Sequence, residues 1–267
     1  MPELVPEPLL VLDEVTAGYG GREAVHGVSL QVAAGEVVGL IGPNGSGKTT
    51  LLRVASRALK PWSGQVRVAG RDPYGLRPRD AARLVAVVPQ ELAAAFPFTV
   101  RETVLLGRAP YLSPWGGGSE EDWAQARRAM EVADVAHLAD RPLDELSGGE
   151  RQRAVIAQAL AQDAPVVLMD EPTTHLDLRH IVQALQLVAA MARDQAKAVL
   201  VVFHDLNLAA AVCDRVHALA GGRVVAAGAP GEVLTRGFLA EVYGIEAEVY
   251  PHAVTGRPTV ILQVPGR

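Results

Sequence analysis

The chain is poor in the features that would each announce a partner. It has one cysteine, Cys213, among 267 residues. A single thiol excludes an intramolecular disulfide and fits a reducing compartment. Aromatic residues make up only 4% of the chain, and its 25 lysines and arginines form no run. They are outnumbered by 30 aspartates and glutamates, for a formal net charge of -5. Without a basic face, nucleic acid is not an expected partner. The strongest apolar runs, such as Ala198 to Phe203, fall far short of the ~18 residues that a membrane-spanning helix needs. The amino-terminal MPELVPEPLL is acidic and broken by prolines. It lacks the basic start and apolar stretch of a signal peptide. A membrane role is therefore expected to run through a partner.

What remains is a chain that is 49% hydrophobic, enough for one large core or two small ones. Val37 to Ile41, Val166 to Met169 and Ala198 to Phe203 are apolar without alternation, the pattern of strands buried on both faces. Helical stretches are expected after them, over Lys48 to Leu59, Leu178 to Ala192 and Leu206 to Cys213. Strand then helix, repeated, predicts a parallel α/β sheet. Val28 to Val32 and Gln65 to Val68 alternate and predict half-exposed antiparallel strands beside that core. From about 91 to 145 the chain reads as a helical insert. Within it, Ser119-Glu120-Glu121-Asp122 opens a helix expected to run to about Ala139, with acids at the positive end of its dipole. Residues 237–267 read as an appendage after a principal domain over 1–236. In it, Glu248 to Tyr250 and Thr259 to Leu262 are expected to pair as a hairpin.

Gly42-Pro43-Asn44-Gly45-Ser46-Gly47-Lys48-Thr49 fits G-x-x-x-x-G-K-[ST], after a strand and before a helix as that motif requires. Its glycines turn backbone amides toward phosphates. Lys48 adds a point charge, and the Thr49 hydroxyl can ligate Mg²⁺. Asp170 ends an apolar strand. A carboxylate at the carboxyl end of a parallel strand faces the ligand crevice and can hold the metal. Glu171, next in line, can point toward an attacking water as a general base. His204 closes the strand at Phe203; parallel strands would bring it to the same edge, within reach of a γ-phosphate. LSGGERQR, residues 146–153, pairs a serine with a glutamate three residues later, a capping box. Two glycines in a helix's first turn cost about 1 kcal/mol each against alanine, more than a cap requires. They make this helix start a second anion-ready site.

Taken together, Tyr19, the phosphate loop, Gln90, LSGGE, Asp170-Glu171, His175-Leu176-Asp177 and His204 stand in the order of an ATP-binding-cassette (ABC) ATPase. The resemblance covers nearly the whole chain. It implies a RecA-like P-loop NTPase core with an antiparallel β subdomain and an inserted helical subdomain. It implies ATP and Mg²⁺ as cofactors, with Thr49, Asp170 and Gln90 about the metal. Lys48, Glu171, His204 and Gln90 would be the catalytic set. Tyr19 would stack on adenine, and the loop from Gly42 through Thr49 to Thr50 would hold the phosphates. In this family two cassettes pack head to tail, so Ser147, Gly148, Gly149, Glu150 and Asp177 would serve the nucleotide of the other copy. Close approach of that nucleotide would explain both glycines. With every motif intact in one chain, a homodimer is the simplest assembly.

FTVRETVLLGRAPYL, FHDLNLAAAVCDRV and PHAVTGRPTV resemble the ATPases of metal-chelate importers, which serve iron-siderophore, haem or cobalamin. That likeness implies a membrane permease, an indirect link to a periplasmic or surface substrate-binding protein, and a place on the cytoplasmic face of a bacterial membrane. Tyr111 and Trp115, in the loop GRAPYLSPWGGG, are expected either to dock the permease or to pack inward on the insert. Other transport classes of the family, and soluble non-transport members, stay as alternatives. The soluble class is disfavoured by the absence of sustained heptads and of cysteine pairs.

Overall fold

The computed structural model describes residues 7–90, 98–113 and 117–263. The central sheet has six strands in the order β5-β6-β7-β3-β8-β9. In chain order these are β3 (Val37–Ile41), β5 (Val85–Val88), β6 (Val166–Asp170), β7 (Ala198–Val202), β8 (Arg215–Ala220) and β9 (Arg223–Gly228). The first five run parallel, and β9 turns back on β8 as an antiparallel edge. A second sheet, wholly antiparallel, sets β1 (Pro8–Tyr19) between β2 (Arg22–Ala33) and β4 (Ser63–Val68). β2 and β4 contain the alternating segments read from the sequence; the strand that joins them was not among them. β1 loses its period of two at a register shift between Leu12 and Val15, where Glu14 takes φ 48°. A bulge of this kind erases the alternation that would reveal a strand.

The central strands supply two cores at once. Val37, Val167, Met169, Val199 and Val201 pack with the helices on one face. Val38, Leu40, Val166, Leu168, Leu200 and Val202 pack with the antiparallel sheet and α1 (Lys48–Ala55) on the other. Burial on both faces is why these strands do not alternate. α1 ends earlier than expected, at Ala55 instead of Leu59. Arg57 enters the left-handed region at φ 67° without a glycine to mark the stop. The buried Tyr74 hydroxyl meets the carbonyl oxygens of Val54 and Leu59 at 2.6 and 2.7 Å.

A short α2 (Pro78–Ala81) precedes β5, and the helical region then brings α3 (Val100–Leu106) and α4 (Glu120–Val132). Both pack on α5 (Gly148–Gln162), so the helical layer includes the helix that LSGGE opens. α4 stops at Val132, short of Ala139, because Asp134 turns to φ 54° and Ala136–Leu138 form a 3-10 turn. Tyr111 packs inward. The guanidinium of Arg108 lies 3.9 Å from its ring centroid and that of Arg83 4.9 Å. Arg108 is itself buried against Asp122 at 3.0 Å and donates to the Ala161 carbonyl. The half-buried ring is thus held by two guanidiniums. Trp115 lies outside the described residues.

α6 (Leu178–Arg193) leads into β7, and α7 (Leu206–Val212) follows it. The chain closes with β10 (Ala247–Pro251) and β11 (Pro258–Leu262), paired antiparallel with Val249 opposite Val260. No described helix is long and apolar enough to cross a membrane.

Two titratable groups are locked in the core. Burial pushes the Cys213 thiol far above its ordinary range. His217 on β8 is 4% exposed, and burial, then the Arg215 charge, pushes it down to about 4. An unfolded histidine titrates near 6.5, so the unfolded chain takes up this proton first. The neutral-histidine contribution is fully present above pH ~6.5 and is lost as pH falls toward 4, a swing of roughly 3 kcal/mol. His217→Gln is expected to flatten the stability profile over that window. Denaturant unfolding at stepped pH checks it; an unchanged acid limb refutes the assignment.

Candidate active site

The parallel register collects the candidate residues at one edge. Leu40 pairs with Val202, and Val202 with Asp170. The strands therefore end level, with the phosphate loop leaving β3, the two carboxylates leaving β6 and His204 leaving β7. Gly42 sits where an added Cβ would fall 2.1 Å from the Leu219 carbonyl oxygen, and its φ is 142°. Gly47 is the left-handed N-cap of α1 and offers no side-chain cap. The helix's first amides are therefore left for an anion. A cavity of about 330 Å³ lies over this loop, lined by Ala24, residues 44–50, Glu171 and His204. Pro43 borders the loop, and its carbonyl and that of Gly42 accept from Lys48 Nζ at 3.1 and 2.8 Å. Burial lowers the Lys48 pKa, against the pull of Glu171 and Asp170 that raises it.

Glu171 is the hub of the edge. It is 8% exposed and takes φ 50°, a left-handed conformation in a residue that is not glycine. That costs on the order of 1–3 kcal/mol and clusters at functional sites. Its Oε1 meets His204 Nε2 at 2.6 Å. Its Oε2 accepts from Gln90 Nε2 at 2.9 Å and from the Thr174 hydroxyl at 3.3 Å. Thr174 was absent from the sequence-based set, although its spacing of three from Glu171 fits a turn that returns a side chain.

Asp170 lies beside the Thr49 side chain, and its Oδ1 is buried with no hydrogen-bond partner. Burial raises its pKa first and the Glu171 charge second. A buried carboxylate oxygen without a partner, beside a threonine hydroxyl, fits a hard divalent cation. Mg²⁺ takes one or two protein oxygens and leaves the rest of its shell to phosphates and water. The described residues hold no cluster of three or more histidine, cysteine or acidic side chains that would make a fuller cage. Thr49 and Asp170 would hold the ion, and Gln90 reaches the same edge through Glu171.

Tyr19 is 46% exposed, with Arg53 donating to its hydroxyl at 3.1 Å. The Arg53 guanidinium lies 6.0 Å from its ring centroid.

The residues from Ser147 to Glu150 do not line that cavity. They form the expected capping box: Ser147 N–H donates to Glu150 Oε2 at 2.9 Å, and Ser147 Oγ accepts from Glu150 N–H. The two glycines have different reasons. Gly148 is exposed, and an added Cβ would touch only a Leu176 methyl at 4.0 Å. Gly149 is buried, and its Cβ would fall 2.1 Å from the His180 ring. Gly149 thus has a reason within its own chain: the space over it is filled by this chain's own imidazole. His180 is held there by Asp177, which caps α6 by accepting from His180 N–H at 3.0 Å and meets its Nδ1 at 2.9 Å. The signature helix and the Asp177 loop are thereby one steric unit.

A phosphate loop, a paired Walker B edge and an LSGGE helix on this fold define an ATP-binding cassette. The sequence profile of the ABC transporter family matches residues 25–174. The chain belongs to that family and is one of its ATP-hydrolysing subunits. The hemin import ATP-binding protein HmuV of Streptomyces coelicolor is 45% identical, over 98% of this chain and 94% of that protein. The iron(3+)-hydroxamate import ATP-binding protein FhuC of Bacillus subtilis is 38% identical, over 94% of each. The solved structure of a nucleotide-free ATP-binding cassette from an ABC transporter matches with TM-score 0.80 at 26% identity, over 88% of this chain and 98% of that one.

The contact at Gly149 is directly testable. Gly149→Ala is expected to cost about 1–3 kcal/mol by overpacking, with each kcal/mol lowering Tm by roughly 2–4 °C. Gly148→Ala should leave Tm within about 2 °C. His180→Ala in the Gly149→Ala background should recover part of the loss. Equal Tm shifts for the two single variants would sink the asymmetry.

Proposed function

We propose that this chain powers import of a metal chelate through a membrane permease, on the cytoplasmic face of a bacterial membrane, as a head-to-tail homodimer. The observation that carries the dimer is the exposed helix start at Ser147 and Gly148, which serves no anion in its own copy's cavity. A γ-phosphate held by the phosphate loop of one copy would meet that helix end in the other, where amide donors and the helix dipole favour negative charge. ATP then favours the closed pair because it contacts both halves, and loss of the γ-phosphate releases them.

Within each site the residues divide the work by position. Lys48 and the amides from Gly42 to Thr50 bind the phosphates, and Tyr19 holds the base. Asp170 and Thr49 would hold Mg²⁺, whose chemistry is to neutralise charge on the β- and γ-oxygens. Glu171 takes a proton from the attacking water at its carboxylate. His204 steadies that carboxylate and reaches the γ-phosphate. Gln90 holds the other oxygen of Glu171 and opens the segment that leads to the insert. Haem is the first cargo to test, from the identity shared with a hemin importer subunit. Ferric siderophore is the next, and cobalamin follows from the resemblance in sequence.

Glu171→Gln is expected to hold ATP without turnover and to run as a dimer on size exclusion in ATP and Mg²⁺. Ser147→Ala in that background should return it to monomer while ATP still binds. A Glu171→Gln chain that hydrolyses at the wild-type rate, or stays monomeric with ATP, overturns the arrangement. For the cargo, the permease complex formed with this chain is reconstituted in vesicles and supplied with haem, ferric hydroxamate or cobalamin. ATP-dependent uptake of one of them is expected. Uptake of an amino acid or sugar with none of the chelates overturns the reading.

A further inference from the structure

The last described residues, 238–263, touch two elements of the ATPase site at once. A small apolar cluster joins Leu239, Ala247 and Val260 with Phe238, Tyr243, Ile245 and Leu206. Leu206 opens α7, two residues after His204. Asn207 beside it bonds the hairpin from both ends of its amide: Nδ2 donates to the Val260 carbonyl at 3.1 Å, and Oδ1 accepts from Val260 N–H at 2.7 Å. At the far end of α7, Arg257 Nη1 donates to the carbonyls of Ala210 and Cys213, both at 2.8 Å. Both ends of the helix that follows His204 are therefore tied to the hairpin.

The second element is the phosphate loop. Tyr243 lies in a π-helical turn, Leu239–Tyr243, with its ring edge-on to Phe238 at 5.9 Å. Its hydroxyl lies beside the Gly42 N–H, and burial pushes its pKa up to about 12. Gly42 is thus gripped on three sides. The Tyr243 hydroxyl lies beside its N–H, Lys48 Nζ donates to its carbonyl at 2.8 Å, and the Leu219 carbonyl leaves no space for a Cβ. An isolated two-stranded hairpin is marginal in water, so these side-chain ties are what give this one a fixed place.

We propose that residues 238–263 are a positioning element of the ATPase site: Tyr243 sets the first residue of the phosphate loop, and Asn207 sets the helix behind His204 against the same unit. Tyr243 and Asn207 are positioning residues, since neither lines the cavity. The proposal rests on the assignment of residues 42–50 as the phosphate site, and the test separates the two.

The test uses steady-state ATPase kinetics of the full chain, at a temperature where circular dichroism finds each variant as folded as wild type. Tyr243→Phe keeps the ring and removes the hydroxyl beside Gly42. It should raise KM for ATP about three- to tenfold, the range one hydrogen bond commands, with kcat within about twofold. Asn207→Leu keeps the volume and removes both ties. It should lower kcat about three- to tenfold with KM within about twofold. A purely structural role would lower Tm and leave both constants alone; wild-type kinetics in either variant overturns the proposal. Lys48→Ala is the control. If it binds ATP like wild type, the phosphate-loop assignment itself is wrong; if it does not, the result for Tyr243 and Asn207 stands on its own.

Discussion

The level ending of three parallel strands is the constraint on which this protein depends. Val202 is paired on one side with Leu40 and on the other with Asp170. A slip of one residue in either ladder would turn every side chain to the opposite face and exchange the two cores. It would also part the phosphate loop from the carboxylates that work with it. The residues that fix the register are the aliphatic ones buried on both faces. Catalytic geometry here is in the first place a packing result, and the charged groups occupy the ends that packing leaves.

At that edge, burial and charge act against each other. Glu171 raises the cost of the Asp170 charge, and burial lowers the Lys48 pKa even though both acids favour its charged form. Glu171 has three partners, from the chain after β5, the turn after β6 and the end of β7. A carboxylate held from three directions has a defined orientation before substrate arrives, which is the condition for oriented proton transfer. Its left-handed backbone fits the same account: an ordinary conformation would carry the side chain away from those partners.

Much of this was legible from the residues. The unalternating runs gave β3, β6 and β7 because double burial is itself a compositional pattern. The phosphate loop and the capping box could be read because their chemistry is local, completed within eight residues or fewer. What stayed hidden depends on residues far apart in the chain or on backbone turns without a glycine. Arg57 and Asp134 stop their helices in conformations that their side chains do not advertise. Glu14 bends β1 out of its alternation. Tyr243 reaches Gly42 and Asn207 reaches Val260 through the fold alone. Tyr111 read equally as a docking or an inward-packed aromatic because nothing near it in sequence shows that Arg83 would reach its ring.

The imidazole of His180 over Gly149 bears on how such chains diverge. The two positions occupy one volume. A lineage that enlarges the glycine must first shrink or remove the ring, and one that loses the ring leaves a void that a methyl group can fill. Substitutions at 149 and 180 should therefore travel as a pair, with the order of the two steps fixed by sterics.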